Sequence, residues 1–137
     1  MKKEKSVGAV IYRIGSDGKR EYLVQKMNLG HVSICKGHVE GSETEVETAA
    51  REIMEETGLK VDIDTRFRHV VTYSPFPGII KDVVFFVARY SGDKKPSDTH
   101  DDEVKSEGWL PIAAAIAAVT YDTDKETLRL ADEYLSR

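Results

Sequence analysis

The sequence predicts an α/β (α+β) domain in which a mixed β-sheet is sandwiched between helices. Segments with apolar residues at period two alternate with helical stretches in the order β-β-β-α-β-β-β-α. Ile79 to Tyr90 (IIKDVVFFVARY) is apolar on both faces, with Val83, Phe85 and Val87 on one and Ile80, Val84 and Phe86 on the other. Such a strand belongs in a sheet covered on both sides. Amphipathic helices in the middle and at the C-terminus supply the covers.

Taken in order, Ser6 to Ile14 is a strand, Ser16-Asp17-Gly18 a turn, and Glu21 to Met27 the returning strand of a hairpin. After Asn28-Leu29-Gly30, the short apolar run His31 to Cys35 leads to Lys36-Gly37. Ser42 with Glu45 reads as a capping box and Gly58 as a helix stop, which sets a helix from about Glu43 to Thr57. Its docking stripe would be Val46, Ala49, Ala50, Ile53 and Thr57. Leu59, Val61 and Ile63 alternate, and extended character continues from Phe67 to Tyr73. Ser74-Pro75-Phe76-Pro77-Gly78 is a turn. Ser91 to Glu103, with the acidic cluster Asp98, Asp101, Asp102 and Glu103, is a polar loop before a last strand, Val104 to Leu110. Pro111 sits at a favoured first helical position ahead of an Ala-rich helix, Ile112 to Val119. Thr123 with Glu126 is a second capping box, and Leu128, Ala131 and Leu135 line one face of the terminal helix.

The chain is 137 residues long with a net charge of −4, and residues 1–137 are expected to form a single domain burying roughly two thirds of its unfolded surface. It carries no basic footprint for duplex nucleic acid. The one cysteine, Cys35, excludes an internal disulfide framework and reads as a small buried hydrophobe. No apolar run follows the basic opening MKKEK, so neither a signal peptide nor a membrane span is expected, and the default location is cytoplasmic.

The informative stretch is Gly37 to Leu59, GHVEGSETEVETAAREIMEETGL. On its helix Glu52, Glu55 and Glu56 stand at i, i+3 and i+4, where like charges repel. Hard divalent cations take oxygen ligands and would reverse that repulsion. A solvated acidic face is the plain alternative for an arbitrary run of glutamates. Here Gly37, Glu43, Arg51, Glu52, Ile53, Glu55, Glu56, Gly58 and Leu59 resemble the Nudix hydrolase signature, G-x(5)-E-x(7)-R-E-U-x-E-E-x-G-U, at every fixed position.

The resemblance implies an αβα sandwich and hydrolysis of a nucleoside diphosphate linked to another group, with Mg²⁺, or Mn²⁺ in its place, as cofactor. It implies Glu52, Glu55, Glu56 and the Gly37 carbonyl as metal ligands, with Glu52 or Glu56 orienting the attacking water. Arg51, pairing with Glu47 and with Glu43 beyond it, would hold the carboxylates, and Glu43 would support it. Glu45 and Glu40 read as solvated charges.

A narrower resemblance runs through Lys36-Gly37-His38-Val39-Glu40, Lys81-Asp82-Val83-Val84-Phe85-Phe86 and Glu103-Val104-Lys105 with Trp109. These segments look like the asymmetrical diadenosine tetraphosphate hydrolases. That implies Glu103 as a further metal-site or catalytic carboxylate and His31, Lys36 and Lys81 as phosphate contacts. Tyr73 and Tyr121 would stack the base. The plain reading of Lys81 is an edge-strand solubility charge. The sequence departs from the subfamily where Val32 and Cys35 replace a usual tryptophan and proline.

The implied partner is a nucleoside polyphosphate, with neither duplex nucleic acid nor membrane, acting on a monomer or homodimer. Nucleoside triphosphates including oxidised ones, ADP-ribose and RNA 5′-pyrophosphate remain open as substrates. So does a non-catalytic nucleotide-binding regulator.

Overall fold

The computed structural model describes residues 1–96 and 103–137. Asp98, Asp101 and Asp102 of the acidic cluster lie outside the described residues. The strands are β1 (Lys2–Ile14), β2 (Arg20–Met27), β3 (Val32–Ser33), β4 (Lys36–His38), β5 (Asp62–Tyr73), β6 (Ile79–Arg89) and β7 (Val104–Pro111). The helices are α1 (Glu45–Thr57), α2 (Ile112–Ala118) and α3 (Asp122–Leu135). The main strand order is β3-β2-β1-β6-β5, with β4 paired to β1 and β7 to β2.

The β1–β2 hairpin closes at Ile14↔Arg20 through a turn in which Gly18 takes φ 81°. β1 runs parallel to β6 from Lys2↔Ile79 to Tyr12↔Arg89, and the other pairings are antiparallel. The sheet is therefore mixed, and β6 lies inside it rather than at an edge. Lys81 is accordingly no edge-strand charge.

Alternation along β6 divides the core. Val84, Phe86 and Ala88 pack with Val7, Ala9, Ile11 and with Ala49 and Ile53 of α1. Val83, Phe85 and Val87 pack with Val10, Tyr22, Ile34 and with Ala115, Leu128 and Ala131 of α2 and α3. Each fully buried Val, Ile or Phe side chain contributes about 1.5–3 kcal/mol, so both faces need their helices, and the αβα layering follows.

Several local expectations shift. The N-cap of α1 is Thr44, not Ser42: Thr44 Oγ1 accepts from Glu47 N at 3.2 Å and Glu47 Oε1 from Thr44 N at 2.8 Å. The buried residues of α1 are Thr48, Ala49, Ile53, Glu56 and Thr57. Val46 (41 % exposed) and Ala50 face outward instead. Gly58 ends the helix as expected, in the left-handed conformation at φ 70°.

Pro111 closes β7 as the N-cap of α2 rather than entering the helix. α3 starts from Tyr121, with no side-chain cap. Thr123 and Glu126 do not form a capping box, because Thr123 already lies inside the helix, and Glu126 pairs with Arg129. Among the described residues no helix is long and apolar enough to cross a membrane.

Candidate active site

The β1–β4 pairing brings Gly37 against Val7 and ahead of α1. A Cβ on Gly37 would lie 2.0 Å from Glu52 Cδ and 2.2 Å from its Oε2. Only glycine lets the helix carboxylate approach the β4 backbone this closely. Gly8 serves in the same way on β1, where a Cβ would meet the Cys35 carbonyl oxygen at 1.9 Å. Cys35 is buried, and burial pushes its thiol well above the ordinary value, with Glu56, Glu107 and Glu52 adding to the effect.

Arg51 organises the acids. Its Nε donates to Glu43 Oε2 at 2.7 Å, Nη1 to Glu52 Oε1 at 2.8 Å and Glu55 Oε2 at 3.1 Å, and Nη2 to the His38 carbonyl at 2.9 Å. The expected partner Glu47 is absent from this set because its carboxylate is engaged at the N-cap. Glu43 also accepts from Glu40 N at 3.0 Å and Thr48 Oγ1 at 2.9 Å. The Arg51 hydrogen bond, with help from the Glu40 backbone, lowers Glu43 from 4.5 to about 2. Arg51 is raised in turn, chiefly by its bond to Glu43.

Glu45 is not a solvated charge. Arg68 Nη2 reaches its Oε2 at 2.7 Å and Lys5 Nζ at 2.6 Å, and these partners, Arg68 first, lower it to about 2. Glu40 fits its expectation, with an exposed side chain 3.8 Å from Arg51 Nε.

Glu56 is turned the other way. It is 3 % exposed and lines a cleft of about 460 Å³ with Ser6, Gln25, Gly37, His38, Lys81 and Glu103. The Glu103 carbonyl accepts from Asn28 N at 2.8 Å, which ties the start of β7 to the turn after β2. A second cleft, about 570 Å³, is lined by Tyr73, Val83, Phe85, Tyr121 and Asp124. His31, Lys36 and Lys81 line both clefts and so stand at their junction. Burial lowers Lys81, Lys36 lowers it further, and Glu4 and Glu103 oppose the shift. The His31 and Tyr121 rings are 5.7 Å apart and inclined at 51°.

The fold thus gathers Gly37, Glu56, Glu103, Lys36, Lys81, His31, Tyr73 and Tyr121 on two confluent clefts. Glu52 and Glu55 are turned into Arg51 instead. Among the described residues no three acidic, histidine or cysteine side chains converge as a ready-made cation cage. The donors available are nevertheless carboxylate and carbonyl oxygens around a glycine that leaves them room, a set suited to a hard divalent cation.

Asp124 is a cleft residue that the motifs do not single out. It stands four residues before Leu128 and seven before Ala131, in phase with the buried face of α3. That phase is the available signal: a charge on an apolar stripe is either satisfied or used.

The fold and the site have counterparts. The chain is 40% identical over 98 residues to an 8-oxo-(d)GTP phosphatase of Mycolicibacterium smegmatis, covering 71% of this chain and 29% of that protein. It is 28% identical over 144 residues to the putative mutator protein MutT4 of Mycobacterium tuberculosis, covering 98% of this chain and 56% of that one. The chain therefore spans between 29% and 56% of these relatives' lengths. A crystal structure of a C. elegans Ap4A hydrolase binary complex matches with a TM-score of 0.87 and 26% identity over 97% of this chain and 98% of that one. The NUDIX domain model matches residues 2–131, and the chain belongs to the NUDIX domain family.

Proposed function

We propose that this chain is a divalent-metal-dependent pyrophosphohydrolase acting on nucleoside polyphosphates, with diadenosine tetraphosphate cleaved to ATP and AMP as its preferred reaction. One observation carries the reading: aromatic residues, cations and carboxylates follow one another along two joined clefts, Tyr73 and Tyr121, then His31, Lys36 and Lys81, then Glu56 and Glu103. That is the order of groups in a nucleotide whose phosphate chain ends at a metal.

Tyr121 and Tyr73 offer partly exposed rings for a base, and stacking of this kind contributes about 1–3 kcal/mol per base. Lys36 and Lys81 meet the phosphates as flexible point charges. Gly37, through its carbonyl, and Glu52, Glu55, Glu56 and Glu103 would hold Mg²⁺, or Mn²⁺ in its place. Bound there, the ion supplies neutralisation of phosphate charge and polarisation of the phosphoryl oxygens.

Hydrolysis joins a water oxygen to one phosphorus and releases the bridging oxygen with the other phosphate. Glu56 is the better placed of the two candidate bases to take the water proton, because it lines the cleft while Glu52 Oε1 accepts from Arg51. Arg51 and Glu43 act as positioning residues. The 26% identity to the C. elegans Ap4A hydrolase over nearly the whole of both chains supports the dinucleotide substrate. The 40% identity to the 8-oxo-(d)GTP phosphatase supports a second reading, an oxidised nucleoside triphosphate.

The test is Mg²⁺-dependent hydrolysis of diadenosine tetraphosphate, ADP-ribose, nucleoside triphosphates including 8-oxo-dGTP, and 5′-triphosphorylated RNA, with products separated chromatographically. ATP and AMP from the first, with the others slow, support the preferred reaction. Faster 8-oxo-dGTP turnover would select the second reading. No turnover on any substrate would leave a nucleotide-binding regulator.

A further inference from the structure

The aromatic cleft holds a charge to which the proposed reaction gives no role. Asp124 is 6 % exposed and shares the cleft wall with Tyr73 and Tyr121. Among the described residues its carboxylate accepts one hydrogen bond, from Ser33 Oγ to Oδ2 at 3.4 Å. That is long beside the ~2.7 Å usual for such a bond. The hydroxyl also has a single proton for Asp124 and for the Ile34 carbonyl, which is at the same 3.4 Å.

On the other side of Ser33 stands Lys36, whose Nζ donates to Ser33 Oγ at 3.3 Å. Burial holds the Asp124 carboxyl above its ordinary value, while Lys36, the Ser33 hydroxyl and His31 draw it back toward the ionised form. Asp122, by contrast, is exposed at the mouth of the same cleft. It already places negative charge at the N-terminus of α3, so that dipole does not require a second, buried acid. Charge therefore changes sign along the cleft, from a negative wall among the tyrosines to the cations Lys36 and Lys81.

We propose that Asp124 sets the direction in which a nucleotide is threaded, by excluding phosphate from the aromatic cleft so that only the neutral base enters it. The phosphate chain then has to run from Lys36 and Lys81 toward Gly37 and Glu56. This rests on the nucleotide site proposed above and specifies the residue that orients its ligand. A phosphate brought beside a buried carboxylate meets a repulsion several times stronger than in bulk water, whereas a neutral purine does not.

The test uses the full chain with tripolyphosphate and adenosine as probes, read by calorimetry without hydrolysis. In the wild type the two bind independently. In Asp124→Asn, which keeps the shape and removes the charge, tripolyphosphate binds about tenfold tighter or better and competes with adenosine, whose own affinity changes less than about threefold. Asp122→Asn is the control and leaves both unchanged. The proposal is overturned if tripolyphosphate and adenosine still bind independently in Asp124→Asn. Equal gains in Asp122→Asn would overturn it too, as would loss of adenosine binding in Asp124→Asn, which would make Asp124 a reader of the base.

A measurement on the wild type needs no folded variant. Tripolyphosphate should shift the amide resonances of Lys36 and Gly37 and leave those of Tyr121 and Thr123 in place; shifts at the latter pair overturn the proposal. Failure of both probes to bind the wild type would remove the nucleotide site itself, and the proposal with it. Binding of adenosine beside Tyr121 with tripolyphosphate alongside it removes the direction alone.

Discussion

The acidic cluster beside the first cleft comes from one stretch, Glu43, Arg51, Glu52, Glu55 and Glu56, of which Glu56 lines the cleft itself. At the aromatic end Ser33, Tyr73, Lys81, Tyr121 and Asp124 come from β3, β5, β6 and the start of α3. Each end nonetheless contains one buried acid in phase with the apolar stripe of its helix. Glu56 follows Ile53 and Ala49 on α1, and Asp124 precedes Leu128 and Ala131 on α3. The two ends differ in how the neighbouring charge is balanced. Arg51 relieves the crowding on α1 from within the same helix, whereas Asp124 is balanced from β3 and β4, by Ser33 and Lys36. A locally balanced site can be carried by a short sequence pattern, but one balanced across the sheet cannot.

The largest effect should separate the two ends. Glu56→Gln is expected to lower Mg²⁺-dependent turnover by about 10²–10⁴-fold, the range for removing a positioned general base, with nucleotide affinity little changed. Turnover within a few-fold of wild type would take Glu56 out of the chemistry.

Next come the two glycines. Gly37→Ala pushes only the end of the Glu52 side chain, so melting should hardly move while activity falls about 10²-fold, as expected when a group is misplaced by about 1 Å. Gly8→Ala sets a Cβ against backbone at Cys35 and should cost about 1–3 kcal/mol or more in stability. Equal melting temperatures for the two variants would undo this distinction.

Tyr121→Ala tests the aromatic end. KM should rise roughly tenfold with kcat nearly intact, as loss of about 1–3 kcal/mol of stacking requires. A fall in kcat with constant KM would sever Tyr121 from base binding.

The smallest effect concerns acid stability. Glu43 is lowered from 4.5 to about 2, so its stabilising contribution is present above pH 4.5 and disappears as pH falls through about 2. Arg51→Met should melt a few degrees below wild type at neutral pH. That gap should narrow as pH falls from 4.5 toward 2. A gap independent of pH would mean that Arg51 stabilises by packing alone.

Much of this is legible in the chain. Alternation in Val83–Val87 announces a strand buried on both faces, and both packing layers form as it requires. Gly58 stops α1 because its left-handed φ of 70° suits glycine. Which face of α1 is buried depends on how the helix docks on the sheet, and there the sequence misleads; the cap also falls elsewhere. Ser42 and Thr44 are both good caps by type, and the choice falls to Thr44 because Glu47 closes the reciprocal bond there. Docking against the sheet leaves Val46 and Ala50 exposed and buries Thr48 and Glu56.

The chain alone dictates that Arg51, Glu52, Glu55 and Glu56 stand together, because residues three and four apart on a helix share a face whatever surrounds it. It likewise determined which residues of β6 face each layer, since side chains alternate along any strand. Only the tertiary structure decided that Glu56 enters the cleft while Glu52 and Glu55 turn to Arg51. It also decided that Glu45 is held by Lys5 and Arg68 and that Asp124 stands among Tyr73, Tyr121 and Lys36. Those partners are far apart in the chain, and charge acts through the distance between side chains, which the packing of helices against the sheet sets.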